Sequence, residues 1–172
     1  LEIFNGGSAT ADLAAHWAFP STSNGHDGTH EYWNSFSQGA SLPAGQVYVI
    51  AHPQADAAIL AHANQTHQYL SNGDDAYALA YGTEQQQVLV DMIGHFGADP
   101  GSSFSVCGVA GTRDHTLQRK PSVQHGNAAD WQASAGSTAV DCEWLVLANE
   151  DWSGLGAHFM GNGSSGSSGS SD

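Results

Sequence analysis

Two stretches of the chain bring acid, base and metal-ligand side chains close together. His30-Glu31-Tyr32-Trp33-Asn34 begins as an HExxH zinc motif does, but Asn34 stands where the second imidazole is required, so a zincin site is not formed. His26 and His30 are four positions apart, a spacing that shares a metal on a helix, but Gly25 and Gly28 disfavour helix there. Solvated loop histidines are the expected state. The second stretch is Ser71-Asn72-Gly73-Asp74-Asp75-Ala76-Tyr77-Ala78-Leu79-Ala80-Tyr81, where two carboxylates abut an apolar run. Paired aspartates could bind calcium, or they could cap a turn that launches a strand. Asn72-Gly73 is a strong turn dipeptide, and either aspartate can accept from backbone N–H groups. The turn accounts for every residue without a ligand, so Asp74 and Asp75 are kept only as weak calcium candidates and no cofactor is expected.

Cys107 and Cys142 are 35 positions apart and neither belongs to a CxxC pair, which argues against redox catalysis and against a cysteine zinc site. In a reducing compartment they would be buried thiols. In a secreted protein a pair with no leftover most simply forms one disulfide, and that is the expectation. Asn64-Gln65-Thr66 and Asn162-Gly163-Ser164 are sequons, so Asn64 and Asn162 are candidate N-glycosylation sites. His62 and His67 flank the first of them and are expected to be exposed. No GxSxG, P-loop, GxGxxG or EF-hand loop is present. Ser, His and Asp are so abundant that a chance triad carries no weight. No catalytic residue is assigned, and the domain is expected not to be an enzyme. Trp17, Trp33, Trp131 and Trp152 lie near turns, where rings either close the ends of a β domain or meet a partner. Tyr32 and Trp33 are the candidate contact surface; Trp144, inside "EWLVLA", is expected in the core.

The whole chain bounds these readings. At 172 residues it is long enough for one domain with a real core. Only 12% of residues are charged, against roughly 25% in an average globular protein. Three basic residues face seventeen acidic ones, for a formal net charge of -14. Such a surface repels phosphate backbones and anionic lipid, so neither direct nucleic-acid binding nor membrane binding is expected. No run approaches the ~18 apolar residues of a membrane span. Ten histidines outnumber the fixed cations, so protonation below about pH 6.5 would cancel much of the negative charge. The chain begins at Leu1 without Met, as expected where an upstream segment has been removed. Few lysines, paired cysteines and abundant Ser, Gly and Asn together point to an extracellular or cell-surface location.

The elements that must position these residues are strand-like. Leu1–Phe4 and Ala15–Phe19 are short apolar runs, and Ser21–Gly28 reads as a loop. Gln46–Ala51 follows the Pro43-Ala44-Gly45 turn. Asp56–Asn64 is the one helical stretch. Ala76–Tyr81 and Val88–Ile93 flank a Gly82–Gln87 turn as a hairpin, and Glu143–Ala148 is the last strand. Within the first arm of the hairpin Tyr77, Leu79 and Tyr81 share one face and Ala76, Ala78 and Ala80 the other. Both faces are apolar, which predicts an inner strand packed on each side. The expected fold is an all-β, immunoglobulin-like β-sandwich with one short helix. It spans 1–160, and 161–172 ("GNGSSGSSGSSD") is a flexible Gly/Ser linker or tail.

Six segments in order, "LEIFNGG", "LPAGQVYVIAHPQAD", "NGDDAYAL", "VDMIGHFGADPG", "TLQRKPSV" and "EWLVLANEDWSGLGAH", resemble the lamin-tail domain of secreted bacterial and algal proteins. There it often accompanies extracellular endonuclease or phosphatase domains. The resemblance covers 1–159 and implies an immunoglobulin-like sandwich in which the double aspartate is a fold signature. This chain departs from the pattern in lacking a strand before "LEIFNGG", in a longer 16–40 region and in its cysteine pair. A missing edge strand leaves a sheet edge open to a partner protein or to another copy. The expected function is therefore a non-catalytic interaction or assembly module. The alternatives are an accessory domain of a secreted nuclease or phosphatase, or a calcium- or carbohydrate-binding module.

Overall fold

The structure is a computed structural model and describes residues 1–109 and 111–161. The Gly/Ser tail, and with it Asn162, lies outside the described residues. In chain order the elements are β1 (Glu2–Phe4), β2 (Ala11–Asp12), α1 (Leu13–His16), β3 (Trp17–Ala18), β4 (Ser21–Thr22), β5 (Ser41–Leu42) and β6 (Val47–Ala51). There follow α2 (Ala57–Leu60), β7 (Gln65–Thr66), β8 (Ala76–Thr83), β9 (Gln86–Ile93), β10 (Thr116–Arg119), α3 (Trp131–Ala135) and β11 (Trp144–Leu147). The fold is all-β, with packed sheets and little helix.

The hairpin β8–β9 is its centre. Tyr77 pairs with Ile93 and Thr83 with Gln86, and the register shifts between Leu79 and Ala80. β3 and β4 pair with the other edge of β8, so β8 is an inner strand. Its two faces do what their side chains dictate. Ala76 and Ala78 are small enough to let Met92, Phe104, Val106, Trp131 and Trp144 close in as one core. Tyr77 belongs to a second core with Leu13, Phe19, Phe36, Tyr48 and Ile50, against which Leu79 packs. The sheet containing β8 thus lies between two apolar layers. One is completed by β10–β11 and α3, the other by β1–β6–β7, α1 and β5. At the end of β8 the alternation no longer buries: Tyr81 is exposed and rests on Trp17, ring centroids 5.1 Å apart.

The helices depart from expectation in number. The Asp56–Asn64 stretch forms only the single turn α2, capped by Asp56, whose Oδ1 accepts from Ala58 N–H at 2.8 Å. Two more turns appear, α1 and α3. Asp12 accepts from Ala15 N–H and Asp130 from Ala133 N–H, each at 3.0 Å. One turn is too short to show a helical hydrophobic period, so only the caps announce it. For the same reason the Ala15–Phe19 run is not one strand: the Asp12 cap winds 13–16 into α1, burying Leu13, and β3 begins at Trp17. The expected loop 21–28 opens with the short strand β4, whose Ser21 pairs with Tyr77.

Candidate functional site

β1 is held on three sides. It runs antiparallel to β6 with Ile3 opposite Tyr48. Leu1 and Ile50 exchange backbone hydrogen bonds, both 2.8 Å, and Asn5 N–H donates to Gln46 at 3.0 Å. In an antiparallel ladder the groups of alternate residues turn the same way. Those of Leu1, Ile3 and Asn5 therefore meet β6, and those of Glu2 and Phe4 turn to the opposite edge, where no described residue bonds them. Leu1 and Ile3 pack on the Leu13–Tyr77 core. The other face is clasped by the segment after β11: Glu2 Oε1 accepts from Gly156 N–H at 2.6 Å, and the Phe4 ring meets His158 edge-on at 4.8 Å. A rigid strand with one bare edge is a template for an added strand. β7 covers the far edge of the same sheet, paired parallel with β6.

Asn64, just before β7, is exposed, and its Oδ1 accepts from Val49 N–H at 2.8 Å. Its Nδ2, the atom a glycan would modify, has no partner among the described residues.

The double aspartate works differently from expectation. Ser71 caps the turn, its Oγ accepting from Gly73 N–H at 2.8 Å and Asp75 N–H at 3.0 Å. The Asp75 carboxylate reaches away instead, to Asn24 N–H at 3.1 Å, and ties the 23–34 loop to the start of β8. Burial pushes the Asp75 carboxyl above its ordinary value, more than the Asn24 hydrogen bond lowers it. Gly73 has φ +124°, and a Cβ there would stand 2.6 Å from Arg113 Cβ. Among the described residues no three His, Cys, Asp or Glu side chains gather as a metal site.

The loop carrying His26–Asn34 is pinned by its own acids. Glu31 accepts from Ser23 N–H at 2.7 Å and Thr22 Oγ1 at 3.0 Å, which lowers its pKa. Thr29 hydroxyl and N–H, with His26, hold Asp27 down to about 2. His30 is not a solvated loop histidine. Its side chain is largely buried, with Nδ1 3.2 Å from Gln87 Nε2, its ring on Trp33 and Nε2 3.7 Å from Glu84. Trp33 is consequently half-buried, and only Tyr32, 53% exposed, offers a free ring. Of the other tryptophans near turns, Trp131 is core, because α3 turns it inward beside Trp144. His62 is exposed, but His67 is half-buried, edge-on to Phe19 at 5.2 Å, and that burial lowers its pKa.

Two features escape motif reading. Arg119 on β10 bonds Asp91 on β9 and Glu143 before β11, both at 2.5 Å, and its guanidinium lies 4.1 Å over the Trp144 ring. Burial pushes Asp91 upward against the pull of Arg119. The other is an open groove of about 600 Å³ along the free side of β11. The only signal for either was local: one of two arginines in an acid-rich chain, and an uncharged "WLVLA". Cys107 and Cys142 are bridged, and both sulfurs lie 3.3 Å from the Trp144 carbonyl. A disulfide suits an oxidising compartment. No described helix is long and apolar enough to cross a membrane. Compared with known proteins, the chain matches no family model, no curated protein and no solved structure.

Proposed function

We propose that this domain is a non-catalytic protein-interaction or assembly module of an extracellular or cell-surface protein. The observation that carries the reading is the bare edge of β1. Glu2 and Phe4 direct their N–H and C=O groups away from β6, with no partner among the described residues. β1 carries no Lys, Pro or bulge; its guards are its length of three residues and the charge of Glu2. The strand is also preorganised, clasped by Gly156 and His158 on one face and seated on a core by the other. An incoming strand would therefore meet little ordering cost on this side. Resemblance to the lamin-tail domain, a fold without catalytic residues of its own, supports the same reading. The disulfide and the exposed Asn64 sequon support the extracellular part.

The acids that first suggest chemistry are otherwise engaged. Glu31 and Asp75 accept from backbone N–H groups and hold loops, as Asp27 does beside them, which favours a scaffold over a catalytic site.

The test is particle size by light scattering with electron microscopy of the same sample, for the natural sequence and for Glu2→Pro. Proline at an edge position whose N–H faces outward leaves the β1–β6 ladder intact and removes a donor from the open side. Ordered oligomers that disappear in Glu2→Pro are the expected result. For a partner of a different sequence, the same variant should abolish capture of that partner. Assembly or capture unchanged by Glu2→Pro removes the edge from the mechanism.

A further inference from the structure

β11 is a second edge strand, pairing among the described residues only with β10. Lys120 N–H donates to Glu143 C=O, so the hydrogen-bonded positions are 143, 145 and 147, and the backbone groups of Trp144, Val146 and Ala148 turn outward. The disulfide sulfurs cover the Trp144 carbonyl, and Asp151 N–H takes the Ala148 carbonyl. Val146 N–H and C=O have no partner among the described residues, and they face the groove of about 600 Å³.

The walls of that groove have a chemistry unlike the rest of the surface. None of its lining residues is acidic, although the chain has seventeen acids, and Lys120, one of only three fixed cations, lies in its wall. Apolar groups crowd its rim: Val109 is 47% exposed, Leu145 39% and Val140, beside the lining residue Ala139, 91%. An almost fully solvated valine next to an apolar groove is a knob beside a hole. Two copies of a chain with net charge -14 repel each other wherever carboxylates meet. They can approach most closely where carboxylates are absent, and the groove is such a place.

From these observations we infer that the groove along β11 is an isologous contact with a second copy of this chain. β11 lies antiparallel to its symmetry mate, and the Val140 of each copy seats in the other's groove. A two-fold arrangement centred on Val146 lets the two residues exchange both backbone hydrogen bonds. It sets the uncharged run 144–148 against itself, and like charges first meet beyond it, where Asp141 of one copy faces Asp151 of the other. The inference rests on the reading of the domain as an assembly module but uses a different surface from β1.

Sedimentation velocity over about a hundredfold range of concentration, on the natural sequence, Val140→Glu, Leu145→Glu and Glu2→Pro, tests it. Both glutamates replace exposed side chains, so circular dichroism and Tm should be unchanged. The expected result is a dimer that either glutamate weakens more than about tenfold and that Glu2→Pro leaves intact. Added salt should tighten it by screening the net charge. A monomer at every concentration overturns the inference. So does an oligomer lost only in Glu2→Pro, which would leave the β1 reading standing alone. A synthetic peptide of residues 143–148 stands in for the second copy's β11, so it should compete with the dimer and shift the Val146 amide resonance; a dimer that the peptide leaves intact, with that resonance unmoved, overturns the inference.

Discussion

Arg119 shows how much one side chain can hold in a chain with so few cations. It is only 13% exposed, joins Asp91 to Glu143 and covers the Trp144 ring, so three strands and a core residue depend on it. Arg119→Ala should destabilise by about 3 kcal/mol, because it strands two carboxylates and uncovers the ring. Urea unfolding at neutral pH measures this. Lowering the pH should recover part of the loss, since the abandoned acids can then protonate. His67 sets the opposite slope. Burial against Phe19 lowers its pKa in the folded state, so the unfolded chain binds its proton first. Its contribution is complete above the unfolded value of about 6.5 and is lost as pH falls from there through the lower folded value. The urea midpoint should therefore fall between about pH 7 and about pH 5. His67→Phe, which keeps a ring on Phe19, should make that fall shallower; an unchanged slope would remove His67 as its source. His158, whose pKa burial also lowers, accounts for part of the remainder.

Among the elements, the turn before β8 is the sharpest test of local dictation. Asn72-Gly73 marks it in the sequence, but the residue that closes it is Ser71, while Asp75 ties down a loop 51 positions away. Gly73→Ala places a Cβ against Arg113 in a left-handed backbone and should cost about 2–3 kcal/mol, read as a drop in Tm. Asp75→Asn keeps an acceptor for Asn24 N–H and should be nearly silent in stability at neutral pH, whereas Asp75→Ala should loosen the 23–34 loop, seen as faster amide exchange at Asn24. β6, β8, β9 and β11 were legible as apolar runs of strand length bounded by turn residues, β6 and β8 being buried on both faces rather than alternately. Of the one-turn helices only α2 was, inside the Asp56–Asn64 stretch; α1, α3 and the two-residue strands were not. Their existence depends on single caps and on partners far along the chain.

At the scale of the molecule, the Cys107–Cys142 bridge joins the segment before β10 to the segment before β11, and its sulfurs sit against the free side of β11. Replacing both cysteines by serine should lower stability by about 3–4 kcal/mol, the loop entropy of a closure of this length, with chemical denaturation as the readout. The same change should loosen the groove wall and weaken any contact made there. The excess of acid is a global property as well. Moderate salt should raise Tm by screening self-repulsion, and a Tm that falls would mean local ion pairs such as those of Arg119 outweigh it.

The sequence by itself determined the class of fold, the apolar double face of β8, the pairing of two lone cysteines and the absence of familiar catalytic motifs. Each of these is written in local pattern or in counting. Tertiary structure alone decided that His30 and Trp131 are interior, that Asp75 serves a distant loop, and that Arg119 draws two acids together. It also decided which strands keep a bare edge. Burial and pairing are set by residues distant in the chain, and no local spacing encodes which strand will find no neighbour.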